Sequence, residues 1–140
     1  METNKAHKQL IIGNDIAELG RVVAFLDIIE EEWTLPISLM MPLNLVLEEA
    51  LTNVIFYAYE KESKNEIVID FEKRENQLEI KITDNGKPFD PTQKDDPDIT
   101  LSIDERPIGG LGILLIKKIM DKVTYQRKES FNILLMTKKI

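Results

Sequence analysis

The stretch NEIVIDFEKRENQLEIKITDNG, residues 65 to 86, constrains the fold more than any other part of the chain. Its apolar residues recur at every second position on either side of the polar KRENQ. Ile67, Ile69 and Phe71 line one face and Leu78, Ile80 and Ile82 another, the period-two pattern of half-buried strands, so a β-hairpin is expected here. The flanking segments follow a different period. In NDIAELGRVVAFLDIIEEEW the apolar residues Ile16, Leu19, Val22, Val23, Leu26 and Ile29 fall at helical spacing, and Asp15 with Glu18 resembles a capping box. TLPISLMMPLNLVLEEALTNVIFYAYEKE is a second helical stretch. Proline cannot donate from a helix interior, so Pro42 must sit in the first turn or kink it, and the continuous helix is expected from about Pro42 to Tyr59.

KQLIIG before the first helix reads as a strand closed by Gly13, GGLGILLIKKIMDKV as a third helix, and VTYQRK with FNILLMTKK as a closing hairpin around Glu129 and Ser130. Between Lys87 and Ile108 the periodicity disappears, and a loop of that length is usually functional or disordered. The order is strand, helix, helix, two strands, long loop, helix, two strands. Helices packed on one face of a mixed, mostly antiparallel sheet bury both apolar sets most simply, which predicts an α+β fold, a two-layer α/β sandwich. The 140 residues suit one domain, residues 1 to 140, that buries roughly two thirds of its unfolded surface.

The formal charge of −7 disfavours direct binding to nucleic acid phosphates or an anionic membrane. Cysteine is absent, which excludes a disulfide framework and thiolate chemistry, and the lone His7 reads as a surface residue before the first strand. No apolar run approaches the roughly 20 residues of a membrane span, and METNKAHKQLIIG lacks the core of a signal peptide. A cytoplasmic protein without membrane contact is expected.

Three interruptions of good packing carry the chemistry. Glu49 and Asn53 lie four apart on the second helix and point to one side, where Val46, Ala50 and Tyr57 would otherwise continue a packing face. Alone, such a pair is most often a helix-edge hydrogen bond, and Glu48 points about 100° away toward solvent. ITDNGKPFD ends a strand on Asp84 and follows it with Gly86. Glycine permits close backbone approach, although Asp-Asn-Gly is also good turn chemistry. GGLG, Gly109 to Gly112, opens a helix whose free N–H groups and positive dipole end suit phosphate, but it matches neither a P-loop nor a dinucleotide fingerprint.

The order of these motifs resembles the N box and the two glycine boxes of the GHKL ATPase superfamily, which unites gyrases, heat-shock chaperones, histidine kinases and mismatch-repair proteins. LEEALTNVIFYAY followed by GGLGILLIKKIMDKV is most similar to the bacterial anti-sigma factor serine-protein kinases, over residues 8 to 139. The resemblance implies the GHKL or Bergerat ATP-binding fold with ATP and Mg²⁺ as cofactors. Asn53 would hold Mg²⁺, and Glu49 would orient or deprotonate the nucleophile as the catalytic residue. Asp84 would accept from the adenine amino group, with Gly86 keeping the backbone clear. Gly109, Gly110, Leu111 and Gly112 would approach the phosphates, and Arg106 in a lid spanning residues 87 to 108 would contact the γ-phosphate. The chain departs from the pattern at Pro88, where the family carries a second glycine, and at Tyr57, where it carries a histidine. NILL also lacks the threonine that supports the adenine-binding aspartate in many relatives.

The implied function is a Mg·ATP-dependent protein serine/threonine kinase acting on an anti-sigma-factor antagonist, with a sigma factor as alternative partner and a homodimer as the assembly of relatives. One alternative is an ATP-binding interaction module without phosphotransfer. Another is a detached histidine kinase catalytic domain, which ranks last because the sequence has no helical hairpin bearing a phosphoacceptor histidine.

Overall fold

The computed structural model of the chain describes residues 5–59, 64–93 and 110–140. Five strands form one sheet: β1 (Lys5–Gly13), β2 (Glu66–Arg74), β3 (Gln77–Asp84), β4 (Lys122–Lys128) and β5 (Phe131–Lys139), in spatial order β1-β2-β3-β5-β4. All four pairings are antiparallel. Helices α1 (Leu19–Trp33), α2 (Met40–Asn53) and α3 (Gly110–Ile119) cover one face and complete the two-layer α+β architecture.

The hairpin forms, with a correction to its faces. The register sets Ile69 opposite Ile82 and Phe71 opposite Ile80, so both apolar sets lie on the same side of the sheet. All six residues are buried under the helices. The reason is geometric: directly opposed residues of an antiparallel pair share a face. His7 belongs to β1 itself rather than preceding it, and its Nε2 lies 2.9 Å from Asp70 Oδ1 on the sheet surface.

Helix α1 begins through a 3-10 turn, Ile16–Glu18, whose cap is Asp15 accepting from the Ala17 N–H. The expected reciprocal half of the capping box is redirected. Glu18 Oε1 accepts from the Gly13 N–H at 2.9 Å and thereby fastens the end of β1 to the helix start. Val22, Leu26 and Ile29 are buried as their spacing predicts, whereas Ile16 and Val23 face solvent. A core stripe narrower than the full apolar set explains the difference. The helix stops at Thr34 in a left-handed conformation, followed by buried Leu35 and exposed Pro36.

A 3-10 turn, Ile37–Leu39, leads into α2, and Pro42 falls in its first turn, where its missing N–H costs nothing. Residues Ile37–Ala58 are long and apolar enough to match a membrane span by length and composition, against the sequence expectation. Its Leu43, Val46, Leu47, Ala50 and Leu51 are nevertheless core residues. The helix does not continue to Tyr59 in α form. Directly after Asn53 it widens into a π-helical turn, Val54–Ala58, a local expansion that is frequent at functional sites.

Candidate functional site

Three elements converge at one end of the sandwich. The first is the last turn of α2 with its π-helical extension. Asn53 is 3% exposed, and among the described residues its Oδ1 has no hydrogen-bond partner. A buried carbonyl oxygen without a partner costs roughly 1 to 3 kcal/mol. One turn earlier, the half-buried Glu49 has its carboxyl pushed above the ordinary glutamate range by loss of hydration and then by the charge of exposed Glu48. Desolvation disfavours the charged form, so this carboxylate binds a proton more readily than a surface one.

The second element is the end of β3. Asp84, also 3% exposed, accepts at Oδ1 from the Gly86 N–H and from Asn132 Nδ2, each at 2.9 Å. Burial pushes its carboxyl up, while the Asn132 and Gly86 hydrogen bonds and the nearby Arg127 charge pull it back. The chain then passes against the end of the π turn. The Lys87 N–H donates to the Ala58 carbonyl at 2.8 Å, and a Cβ on Gly86 would lie 2.8 Å from both the carbonyl carbon and Cβ of Ala58. Gly86 is therefore required for close backbone approach, the first of the two explanations its sequence context allowed. Tyr59 secures the same turn, its hydroxyl donating to Asn85 Oδ1 and accepting from the Asn85 N–H, and burial raises its pKa to about 12.

The third element is the start of α3. Gly110 and Leu111 are its first two residues, and Gly112 packs on Glu49, where an added Cβ would lie 3.0 Å from the Glu49 Cδ and closer still to Oε2. The first turn of α3, the part of a helix whose N–H groups suit negative charge, thus packs beside Glu49. Arg106, Gly109 and residues 94 to 108 of the expected lid lie outside the described residues.

Between the first two elements lies a cavity of about 20 Å³, lined by Asn53, Asp84, Asn132, Phe89 and Pro91 among others. That is room for about one water. Phe89 stacks on Tyr57 with ring centroids 5.4 Å apart. Among the described residues no group of three His, Cys, Asp or Glu side chains is placed to hold a metal. A cation at Asn53 would take its other ligands from phosphate and water, as Mg²⁺ commonly does. The orphaned Asn53 oxygen and the glycine-cleared helix start fit a magnesium nucleotide.

Residues 12–138 match the family described as the histidine kinase-like ATPase domain. The chain belongs to that family. Histidine kinase-like ATPase domains bind ATP, and the curated relatives of this one include kinases. The serine/threonine-protein kinase BtrW of Bordetella bronchiseptica is 31% identical over 71% of this chain and 70% of its own length. The serine-protein kinase RsbW of Bacillus thuringiensis is 39% identical over 70% of this chain and 62% of its own length, so more than a third of that relative lies outside the match. Among solved structures, the histidine kinase domain of a blue-light activated histidine kinase from Erythrobacter litoralis superposes with a TM-score of 0.55 at 15% identity. That match covers 87% of this chain and 59% of the other, and it carries the fold alone.

Of the expected site residues of this family member, the fold gathers Glu49, Asn53, Asp84, Gly86, Gly110 and Gly112 at one end of the sandwich. The sequence reading missed Asn132. NILL carries no threonine to support Asp84, yet Asn132, opposite Asp84 in the β3–β5 register, supplies a donor to its carboxylate. The signal was present: Asn132 alternates with buried Leu134 and Met136, so an asparagine occupies a core-facing strand position just as Asn53 occupies a core-facing helix position.

Proposed function

We propose that this histidine kinase-like ATPase domain is a Mg·ATP-dependent protein serine/threonine kinase that regulates transcription by phosphorylating an anti-sigma-factor antagonist, with a sigma factor as its alternative partner. The observation that carries the nucleotide part is the buried oxygen without a partner on Asn53, a residue that lines the same cavity as Asp84. Asn53 would supply one hard oxygen to Mg²⁺, and Asp84 would accept from the exocyclic amine of adenine. Gly110 and Gly112 would let the first turn of α3 approach the phosphates without side-chain obstruction.

Bound Mg·ATP supplies the transferable γ-phosphoryl group. Glu49 would accept the proton of the serine hydroxyl as its oxygen bonds to phosphorus and ADP departs. Its raised proton affinity suits a general base, whose pKa works best when close to the operating pH. The names of the curated relatives support protein serine as acceptor, and the sigma-factor partnership rests on the sequence resemblance.

The test is to incubate the purified protein with γ-labelled ATP and an extract of its source cells. A phosphoprotein with acid-stable label that disappears with Asn53→Ala and Glu49→Gln supports the reading. Acid-labile label points to a histidine acceptor. No transfer from a protein that binds ATP leaves an interaction module.

A further inference from the structure

Asn44 stands among apolar residues in α2, although asparagine is a poor helix former. Its Nδ2 donates to the Met40 carbonyl at 3.0 Å, and this fixes the amide, because the flipped side chain would set its oxygen against that carbonyl. Its Oδ1 is buried and, among the described residues, has no hydrogen-bond partner. This is a second buried acceptor without a donor besides Asn53 Oδ1, and its residue lines a different cavity.

That cavity is a cleft of about 230 Å³ between α1 and α2, walled by Leu19, Val23, Leu47 and Leu51, with Asn44 and Glu48 as its polar residues. A cavity of about 150 Å³ admits benzene, so this one has room for a substituted ring. Gly20 also lines the cleft, and a Cβ added there would meet nothing within 4 Å. Glycine weakens a helix relative to alanine, and no close contact requires it at this position. Its effect is to keep the cleft open.

Charge favours a cation in this place. Arg21 is the only basic residue between Asn14 and Tyr59, against eight acidic ones, and it is paired with Glu18 at 3.1 Å. An apolar body suits the walls, an N–H donor suits the Asn44 oxygen, and positive charge suits Glu48.

We propose that the α1–α2 cleft binds a small ammonium compound whose apolar body is the size of one aromatic ring. The body would lie against Leu19, Val23, Leu47 and Leu51, and the ammonium would donate to Asn44 Oδ1 beside the Glu48 carboxylate. The inference is independent of the nucleotide reading. One wall of the cleft is α2, the helix that also carries Glu49 and Asn53.

The experiment titrates the ¹⁵N-labelled full chain with benzylammonium, benzyl alcohol and phenylacetate, which share a ring and differ in charge. A ligand of this size should bind with a Kd on the order of 1 mM. Benzylammonium should shift the amide signals of Gly20, Asn44 and Leu51 saturably. Benzyl alcohol should bind about fivefold more weakly, and phenylacetate, which carries the same sign as Glu48, should leave the signals in place. Gly20→Leu puts a side chain into the open space of the cleft and should abolish binding in a folded protein. Asn44→Ala removes the acceptor and should weaken benzylammonium about fivefold, and Glu48→Gln should bring it level with benzyl alcohol. If Gly20→Leu does not fold, the other two variants carry the test. No saturable shift at about ten times the expected Kd, equal affinity for the three probes, or undiminished affinity in any folded variant overturns the inference. So do cleft signals that move with protein concentration alone, which mark a contact between copies of the chain.

Discussion

Replacing Gly112 with alanine should separate catalysis from stability. The added Cβ would lie 3.0 Å from the Glu49 Cδ, 3.2 Å from its Cβ and inside contact distance of Oε2. Favourable carbon contacts lie near 3.5 to 4.0 Å, so the Glu49 carboxylate or the first turn of α3 must give by about 1 Å. The carboxylate is the end of a flexible side chain and yields first. Alanine is also favoured over glycine within a helix by about 1 kcal/mol, which offsets the strain, and the melting temperature should change by no more than a few degrees. A displacement of about 1 Å at a positioned catalytic group can cost roughly a hundredfold in rate. The assay is turnover of Mg·ATP beside the melting temperature and the ATP affinity of the same preparation. A Gly112→Ala protein that folds and, at saturating ATP, loses about two orders of magnitude in turnover agrees with the geometry. Turnover unchanged in that protein would refute the placement of Glu49 against the start of α3 as the working arrangement.

Other substitutions give opposite signatures. Gly86→Ala meets backbone atoms of Ala58 rather than a side-chain end, so overpacking should cost about 1 to 3 kcal/mol, seen as a lowered midpoint in chemical denaturation. Asp84 and Glu49 both bind protons more tightly in the fold than their ordinary values of 3.8 and 4.5. The folded state therefore holds more protons than the unfolded one above those values, and stability falls as pH rises through the raised pKa of each group. Asp84→Asn removes one such buried charge and still offers an oxygen to Asn132, so it should melt at the same or a higher temperature at neutral pH while losing adenine-nucleotide affinity. Turnover should decline as pH is lowered through a midpoint above 4.5, and Glu48→Gln, which removes the neighbouring like charge, should move that midpoint down.

The order of elements was legible because the two periods are clean: alternation from Ile67 to Ile82 and helical spacing from Val22 to Ile29. Faces were harder. Nothing local says that Phe71 and Ile80 oppose each other, since register is a property of the paired strands. Ile16 and Val23 fit the helical period but lie outside the stripe that the core covers. At the site, Glu49 and Asn53 stood out as polar residues on an apolar helical face, and Asp84 as a charge ending an apolar strand. Asn132 carried the same mark, but its support of Asp84 depends on a strand pairing across 48 residues. The widening of α2 into a π turn after Asn53 has no local sequence signal that we can identify.

The most direct test of the nucleotide site is a calorimetric titration of ATP into the purified protein, with Mg²⁺ and with a chelator, repeated on Asn53→Ala. If Asn53 supplies an oxygen to the magnesium nucleotide, the wild-type protein binds ATP tightly only with Mg²⁺, and Asn53→Ala loses that enhancement while remaining folded. Equal affinity with and without Mg²⁺, or an Asn53→Ala protein that responds to Mg²⁺ as the wild type does, would contradict it.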